Sequence, residues 1–146
     1  MKPSILIVDD DDVIQETLSD VLKKKDYEIF LGNSGNGALS IIKKNIIDLV
    51  LLDMRLPDVD GLEILKKIKE FDTEILVIIM TAYSDVQTAV AAMKSGAYHY
   101  INKPFELDEL KLLIEKGLET KSLINEVRRL HRQQKEEYQN SNIYGI

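Results

Sequence analysis

The segment LIVDDDDV, residues 6–13, joins a continuous apolar run to four consecutive aspartates. Continuous apolar runs are typical of strands that are buried on both faces of a parallel sheet. Carboxylates at the end of such a strand repel one another, and they are costly to keep ionised beside an apolar core. The segment therefore predicts a buried parallel strand whose carboxyl end binds something that offsets this cost.

Further apolar runs follow along the chain, and segments with helical period separate them. The strong strand candidates are Leu49–Leu52 and Ile75–Met80, and the weaker ones are Tyr27–Leu31 and Tyr98–Ile101. Two of the helical faces consist of Leu39, Ile42 and Ile46, and of Val86, Ala89, Val90 and Met93. Five strand–helix pairs in strict alternation predict an α/β fold with a parallel sheet covered by helices on both faces.

The composition of the chain excludes several classes of protein. Its 146 residues are 45% hydrophobic and 30% charged, which suffices for one core of ordinary size plus an appendage. The formal net charge of −6 argues against a surface that binds nucleic acid through its phosphates. With no cysteine there is neither a disulfide nor a thiolate metal site. No apolar run is long enough to cross a bilayer and no signal peptide precedes one, so we expect a cytoplasmic domain without membrane contact.

Chemistry-bearing side chains follow four of the predicted strands. In open α/β sheets, ligands bind at the carboxyl ends of the strands. There the chain delivers Asp9, Asp10, Asp11 and Asp12, then Asp53, then Thr81 and Ala82, and finally Lys103 followed by Pro104. A glycine-rich phosphate loop does not accompany them, which weakens a nucleotide or flavin interpretation.

Asp9, Asp10 and Asp53 together form a hard-oxygen site. Mg²⁺ fits it best, because this ion binds through one or two carboxylates and keeps water and phosphate oxygens as its other ligands. Asp11 and Asp12 have a simpler explanation, since acidic residues cap a helix start and suit its dipole.

A carboxylate beside Mg²⁺ and a lysine is a nucleophile toward phosphorus. The metal and the Lys103 ammonium would neutralise the oxygens of the transferring phosphoryl group. We expect Thr81 to donate its hydroxyl to a phosphoryl oxygen once the acyl phosphate has formed, and Ala82 to leave space beside it. Pro104 fixes the backbone after the last strand and is a candidate for a cis peptide bond that directs Lys103 inward.

The last third of the chain has a different pattern. Helical period continues from Glu106 to about Tyr138 without proline, which is too long for the fifth helix of a domain of this size. Leu123, Val127 and Leu130 follow the alternating spacing of a coiled-coil seam, which predicts dimerisation. A solvated helical linker is the alternative.

Together these motifs resemble the receiver domain of two-component response regulators over residues 3–120. The matching pieces are ILIVDDDDVI, LVLLDMRLPDVDGLEIL, VIIMTAYSDVQTAV and SGAYHYINKPF, in the family's order and spacing. The resemblance implies a flavodoxin-like, doubly wound five-stranded sheet of order 2-1-3-4-5 with five helices, the last extended into a linker helix. It implies a signalling switch phosphorylated by a sensor histidine kinase, with aspartyl phosphorylation and dephosphorylation as its only catalysis.

The resemblance also implies a role for each residue of the site. Asp53 would be the phosphoacceptor, and Asp9, Asp10 and the backbone carbonyl of Arg55 would complete the Mg²⁺ ligands. Thr81 would be the switch hydroxyl, Lys103 the phosphate-binding lysine and Tyr100 the aromatic switch residue. Arg55 and Tyr83 occupy positions that the family uses to adjust the lifetime of the aspartyl phosphate.

The tail resembles the start of a sigma-54-dependent activator of the nitrogen-regulation type. We expect residues 1–120 to form the receiver, 121–140 a helical linker, and 141–146 the start of a truncated downstream domain. The full-length protein would add an ATPase domain and a DNA-binding domain, while this fragment would not bind nucleic acid itself. Homodimers would form through the linker helix or through the face made by the fourth helix, fifth strand and fifth helix.

Two other functions remain open at this point. A haloacid-dehalogenase-like phosphatase also uses an aspartate nucleophile with Mg²⁺, but it needs a second aspartate two residues later, where this chain has Arg55. The other is a receiver-like interaction module that does not accept phosphate, although every residue that phosphorylation requires is present.

Overall fold

Strands and helices alternate along the chain, as the apolar pattern predicts. The computed structural model describes residues 2–82 and 86–144. The strands are β1 (Ser4–Val8), β2 (Glu28–Gly32), β3 (Leu49–Asp53), β4 (Leu76–Ala82) and β5 (His99–Lys103). The helices are α1 (Asp12–Lys23), α2 (Gly35–Lys44), α3 (Gly61–Phe71), α4 (Val86–Lys94) and α5 (Leu107–Tyr144). Tyr83, Gly145 and Ile146 lie outside the described residues, so the expectations placed on them stay predictions.

The five strands form one parallel sheet in the order β2-β1-β3-β4-β5. This order confirms the topology that the family resemblance implies. Because neighbouring side chains of a strand point to opposite faces, β1 contributes Leu6 and Val8 to one core and Ile5 and Ile7 to the other. The first core packs against α2 and α3, and the second against α1 and α5. All residues of β1 and β3 are buried, which explains their continuous apolar sequence.

The helix faces predicted for α4 and α2 were partly wrong. In α4 it is Ala89 and Ala92 that are buried, and Val86, Val90 and Met93 are exposed. The two small alanine side chains let the helix pack closely on the sheet, and this turns the larger residues outward. Ile46 is 82% exposed because α2 ends at Lys44, before the predicted face is complete.

Helix α5 begins in the core and continues well beyond it. Leu110 and Ile114 are buried against the sheet. Farther along, Lys121 Nζ lies 3.3 Å from Asp48 Oδ1, and Arg128 forms an ion pair with Glu74. Seven residues are about two helical turns, so Lys121 and Arg128 share the face of α5 that points toward the rest of the domain.

The predicted seam residues Leu123, Val127 and Leu130 are exposed by 60%, 64% and 47%. At about 100° per residue they lie on the face opposite Lys121 and Arg128. The division of the chain at residues 120 and 140 remains a prediction, and α5 runs through both positions without a break.

None of the helices in residues 2–82 and 86–144 is both long enough and apolar enough to cross a membrane.

Candidate acidic site at the carboxyl edge of the sheet

Three carboxylates from two neighbouring strands meet at the carboxyl edge of the sheet. Asp9 and Asp10 directly follow β1, and Asp53 is the last residue of β3. One oxygen from each of the three lies within 4.8 Å of the others. Asp9 and Asp53 are buried, whereas Asp10 is exposed, so the cluster is open to solvent on one side. The three carboxylates repel one another and offer hard oxygen ligands, so the cluster fits a small divalent cation.

The two aspartates that follow the cluster serve the helix, as expected from the sequence. Asp11 is the N-cap of α1, and its side chain accepts hydrogen bonds from the backbone N–H groups of Val13 and Ile14 at 2.9 and 3.4 Å. Its own N–H donates to Asp9 Oδ1 at 2.9 Å. The capping turn therefore also orients one of the carboxylates of the cluster.

Lys103, at the end of β5, reaches both buried carboxylates. Its Nζ lies 2.8 Å from Asp9 Oδ2 and 3.3 Å from Asp53 Oδ2. Burial lowers the pKa of Lys103, but the hydrogen bond to Asp9 and the charges of both aspartates outweigh it, and the net pKa is raised. The ammonium therefore stays charged. The Lys103–Pro104 peptide bond that follows is cis.

The ionised form of Asp53 is less favourable than that of an ordinary, solvent-exposed aspartate. Burial raises the pKa of Asp53, and the charge of Asp9 adds to this. The N–H of Arg55, which donates to Asp53 Oδ1 at 3.1 Å, and the Lys103 ammonium lower this pKa only in part. One lysine does not neutralise three carboxylates, so a bound cation would remove the remaining repulsion.

The loop from β3 to α3 closes tightly beside Asp53. The N–H of Gly61 donates to the carbonyl of Met54 at 3.2 Å. A Cβ atom on Gly61 would lie 2.6 Å from Met54 Cα and 2.9 Å from its carbonyl oxygen, so only glycine fits there. No role was predicted from the sequence for Gly61 or for Asp58, although the turn pattern of LPDVDG is a usable signal.

The hydroxyl of Thr81 is an unusual feature of this edge. Thr81 is 3% exposed, and its Oγ1 has no hydrogen-bond partner in the part of the chain that the structure describes. Buried hydroxyls are normally satisfied, and an orphaned one needs an explanation. Thr81 and Ala82 pair in register with Asn102 and Lys103 of β5, which places them at the same edge as Asp53.

Tyr100 lies on β5 but away from the carboxylates. It is 39% exposed and lines a groove between α4 and β5 with a volume of about 450 Å³. Val90 and Met93 of α4 line the same groove. The exposed side chains of Val90 and Met93 therefore form one surface with Tyr100, for which the family resemblance implies the role of aromatic switch.

Together, a doubly wound sheet and an acidic edge with a lysine define a receiver-type domain. The model of the response regulator receiver domain family matches residues 5–115. This chain therefore belongs to the response regulator receiver domain family.

Individual relatives agree with this assignment. Sporulation initiation phosphotransferase F of Bacillus subtilis (strain 168) is 43% identical over 122 residues, which are 84% of this chain and 98% of that protein. Regulatory protein AtoC of Escherichia coli (strain K12) is 42% identical over 127 residues, which are 87% of this chain and 28% of that protein. The crystal structure of NtrX from Brucella abortus has 36% identity and a TM-score of 0.84, and the match covers 89% of this chain and 30% of that one. The chain thus spans less than a third of these last two proteins.

Proposed function

We propose that this chain is a phosphorylation-controlled signalling switch in which Asp53 accepts a phosphoryl group from a sensor histidine kinase. The supporting observation is the meeting of Asp9, Asp10 and Asp53 with the Lys103 ammonium at one edge of the sheet. Receiver domains are in general signalling domains rather than enzymes with turnover, so we expect no hydrolysis of phosphate esters. The proposed location is the cytoplasm.

Asp9, Asp10 and Asp53 would hold Mg²⁺ through their carboxylates, and Arg55 would hold it through its backbone carbonyl. When bound, the ion neutralises charge on the oxygens of the transferring phosphoryl group. An oxygen of Asp53 forms the new bond to phosphorus while the bond from phosphorus to the donor imidazole nitrogen breaks, and that nitrogen keeps the electron pair. Lys103 already lies 3.3 Å from Asp53 Oδ2, close enough to pair with the phosphoryl oxygens.

Thr81 and Tyr100 would convert the new group into a change of surface. The Thr81 hydroxyl, without a partner among the described residues, would donate to a phosphoryl oxygen. Movement of Thr81 would open space for Tyr100, now at the exposed groove beside α4, to turn inward. A surface with two arrangements is the kind of element that phosphorylation can bias.

Replacing Thr81 with valine should separate binding from switching. Thr81→Val removes an unsatisfied buried hydroxyl and keeps the shape of the side chain. The free energy of unfolding should therefore rise by about 1 kcal/mol or less. In NMR spectra with Mg²⁺, beryllofluoride (a mimic of the phosphoryl group) should still shift the amide signals next to Asp53. The shifts at Tyr100 and in α4 should be lost.

The control is Thr17→Val, the same change at an exposed position of α1, which should keep both sets of shifts. Shifts of wild-type size at Tyr100 in Thr81→Val would refute the role of the hydroxyl.

The proposed output is a change in dimerisation of a transcriptional regulator of the sigma-54-dependent type. The relatives of this chain include regulatory proteins, and the match covers only 26–29% of the length of each of them. The rest of a full-length protein would supply an ATPase domain and a DNA-binding domain. The two candidate dimer surfaces are the seam of Leu123, Val127 and Leu130, and the groove that Val90, Met93 and Tyr100 line with α4 and β5.

The mass in solution tests both surfaces. We expect the triple variant Leu123→Glu, Val127→Glu, Leu130→Glu to be monomeric under conditions in which the wild type dimerises, because charges in a coiled-coil seam would be buried unpaired. Light scattering with Mg²⁺, with and without beryllofluoride, measures the effect. A triple variant that keeps the oligomeric state of the wild type would eliminate the linker seam.

Two further proteins complete that experiment. The double variant Val90→Glu, Met93→Glu tests the surface of α4 and β5 in the same way. Ile46→Glu places the same charge on another exposed apolar residue, 82% accessible, that belongs to neither surface, and should change nothing.

A further inference from the structure

Asp58 links the loop between β3 and α3 to a helix from an earlier part of the chain. Its Oδ1 accepts a hydrogen bond from the N–H of Gly35 at 2.8 Å, and its Oδ2 accepts one from the N–H of Asn36 at 3.0 Å. These two groups open α2, where backbone donors have no helical partner. The helix has its own cap in Ser34, whose Oγ accepts from the N–H of Gly37 at 3.0 Å. Asp58 is thus an added attachment from a different element.

The loop that contains Asp58 also contains Arg55, whose carbonyl is a proposed metal ligand. At its inner end the loop is held by contacts among near neighbours, such as the hydrogen bond from Gly61 to Met54 and the bridge between Arg55 and Asp60. Asp58 attaches the outer part of the loop to α2. The attachment is close, because a Cβ atom on Gly35 would lie 3.3 Å from Val59 Cβ.

The charge of Asp58 suits this position. The positive end of the helix dipole favours an anion at the start of α2. Hydrogen bonds from the N–H groups of Asn36 and Gly35 lower the pKa of Asp58, so its carboxylate is ionised throughout the neutral range. Although the residue is exposed, both of its oxygens are used in fixed geometry.

We propose that Asp58 is a positioning residue, which holds the β3–α3 loop against the start of α2 and so keeps the Arg55 carbonyl directed at the metal position. The inference rests on the proposed function, because it assumes that Mg²⁺ binds at the acidic edge. Residues that orient a ligand typically change metal affinity by 10- to 100-fold when they are replaced.

Asp58→Asn tests the inference at nearly constant shape. An asparagine amide has one oxygen to accept a hydrogen bond, and its NH₂ group would face the second backbone donor. We expect the dissociation constant for Mg²⁺, measured from the NMR shift of the Asp10 amide during a titration, to rise by about tenfold. The rate of phosphorylation by acetyl phosphate at saturating Mg²⁺ should stay within about twofold of the wild type, because the nucleophile and Lys103 are untouched.

Two controls separate positioning from general stability. Ser34→Ala removes the cap of the same helix but leaves the link to the loop intact. Asp60→Asn makes the same charge change in the same loop, and its amide oxygen can still accept the hydrogen bond from the N–H of Leu62. Ser34→Ala should unfold at a lower temperature than the wild type because a helix cap is lost, whereas Asp60→Asn should unfold near the wild-type temperature because asparagine caps a helix about as well as aspartate. Neither should shift the Mg²⁺ dissociation constant by more than about twofold.

The possible outcomes are distinct. An unchanged Mg²⁺ dissociation constant in Asp58→Asn would overturn the inference. An equal rise of this constant in Ser34→Ala, at a stability similar to that of Asp58→Asn, would overturn it as well. If the wild type itself showed no saturable Mg²⁺ shift, the proposed function would fail first. Asp58→Glu, which keeps both oxygens, provides the conservative comparison and should recover part of the lost affinity.

Discussion

Replacing Asp53 with asparagine should abolish phosphorylation of this protein and leave it at least as stable as the wild type. The loss follows from the chemistry, because an amide oxygen is a poor nucleophile toward phosphorus. Asp9 and Asp10 follow β1, so neither of them takes the position of Asp53 at the end of β3. Intact-mass spectrometry after incubation with acetyl phosphate and Mg²⁺ measures the gain of a phosphoryl group. We expect the full gain in the wild type and none in Asp53→Asn.

The unchanged or higher stability follows from the raised pKa of Asp53, which is caused first by burial and then by the charge of Asp9. A carboxyl group with a raised pKa binds its proton more readily in the folded than in the unfolded chain. The folded protein therefore loses stability as the pH rises from the unfolded pKa through the folded one, and above the folded pKa that loss is complete. The neutral asparagine avoids it, so thermal unfolding in the absence of Mg²⁺ should occur at the wild-type temperature or above.

A matched control is Asp12→Asn, which makes the same change at the first residue of α1, outside the cluster. It should keep the phosphoryl gain of the wild type. A phosphoryl gain at the wild-type rate in Asp53→Asn would mean that another residue is the acceptor.

The second large effect concerns Lys103, which we expect to stabilise the fold and to bind the phosphoryl group in the switch. Lys103→Met leaves Asp9, which is wholly buried, without its cationic partner at 2.8 Å. Removing one partner of such a pair costs about 3–5 kcal/mol when both are deeply buried, and the partial exposure of Lys103 reduces this to about 2 kcal/mol. Urea denaturation at neutral pH measures the difference in the free energy of unfolding.

The pH dependence of this difference has a definite sign. The pKa of Lys103 is raised above 10.5 because Asp9 and Asp53 outweigh the effect of burial. A raised lysine pKa contributes stability that is complete below the unfolded pKa and declines as the pH rises through the folded one. Wild type and Lys103→Met should therefore differ by the full amount at neutral pH and converge only in strongly alkaline solution.

Two comparisons assign the effect to the buried charge. Adding Asp9→Asn to Lys103→Met should restore part of the lost stability, because the wholly buried carboxylate of Asp9 is no longer an unpaired charge, although that of Asp53 still is. Lys2→Met removes a lysine whose partner, Asp26, is 81% exposed, and should change the free energy of unfolding by less than about 1 kcal/mol. A double variant no more stable than Lys103→Met alone would contradict this explanation.

Lys103→Met should also affect the two ligands in opposite directions. Removing a positive charge beside the carboxylates strengthens their attraction for Mg²⁺, so the Mg²⁺ dissociation constant should not rise. The loss of the group that pairs with phosphoryl oxygens should reduce binding of beryllofluoride by more than about tenfold. A parallel loss of both ligands would indicate that the site has collapsed.

Much of the fold was predictable because the central strands are buried on both sides. Such strands are apolar at consecutive positions, so the runs Ile5–Val8 of β1 and Leu49–Leu52 of β3 stand out without any knowledge of their neighbours. The convergence of Asp9, Asp53 and Lys103 followed from the rule that parallel strands present their carboxyl ends at one edge. Neither inference needed a contact between particular side chains.

The features that could not be predicted depend on tertiary packing. The buried face of α4 consists of alanines, whose weak hydrophobicity does not stand out beside Val86 and Val90. Asp58 contacts residues 22 and 23 positions earlier, and this pairing exists only after α2 and the β3–α3 loop have packed together. The ion pair of Arg128 with Glu74 likewise depends on the path of α5 along the domain.

That path also makes α5 a lever arm. Leu110 and Ile114 hold its first turns against the sheet, the ion pair of Arg128 with Glu74 still joins it to the domain, and the helix continues unbroken from there to Tyr144. At 1.5 Å per residue, the part beyond Arg128 is about 24 Å long, so a tilt of about 10° at that ion pair displaces the far end by about 4 Å. A packing change too small to disturb the core is thereby magnified into a displacement of several ångströms at the far end of the helix.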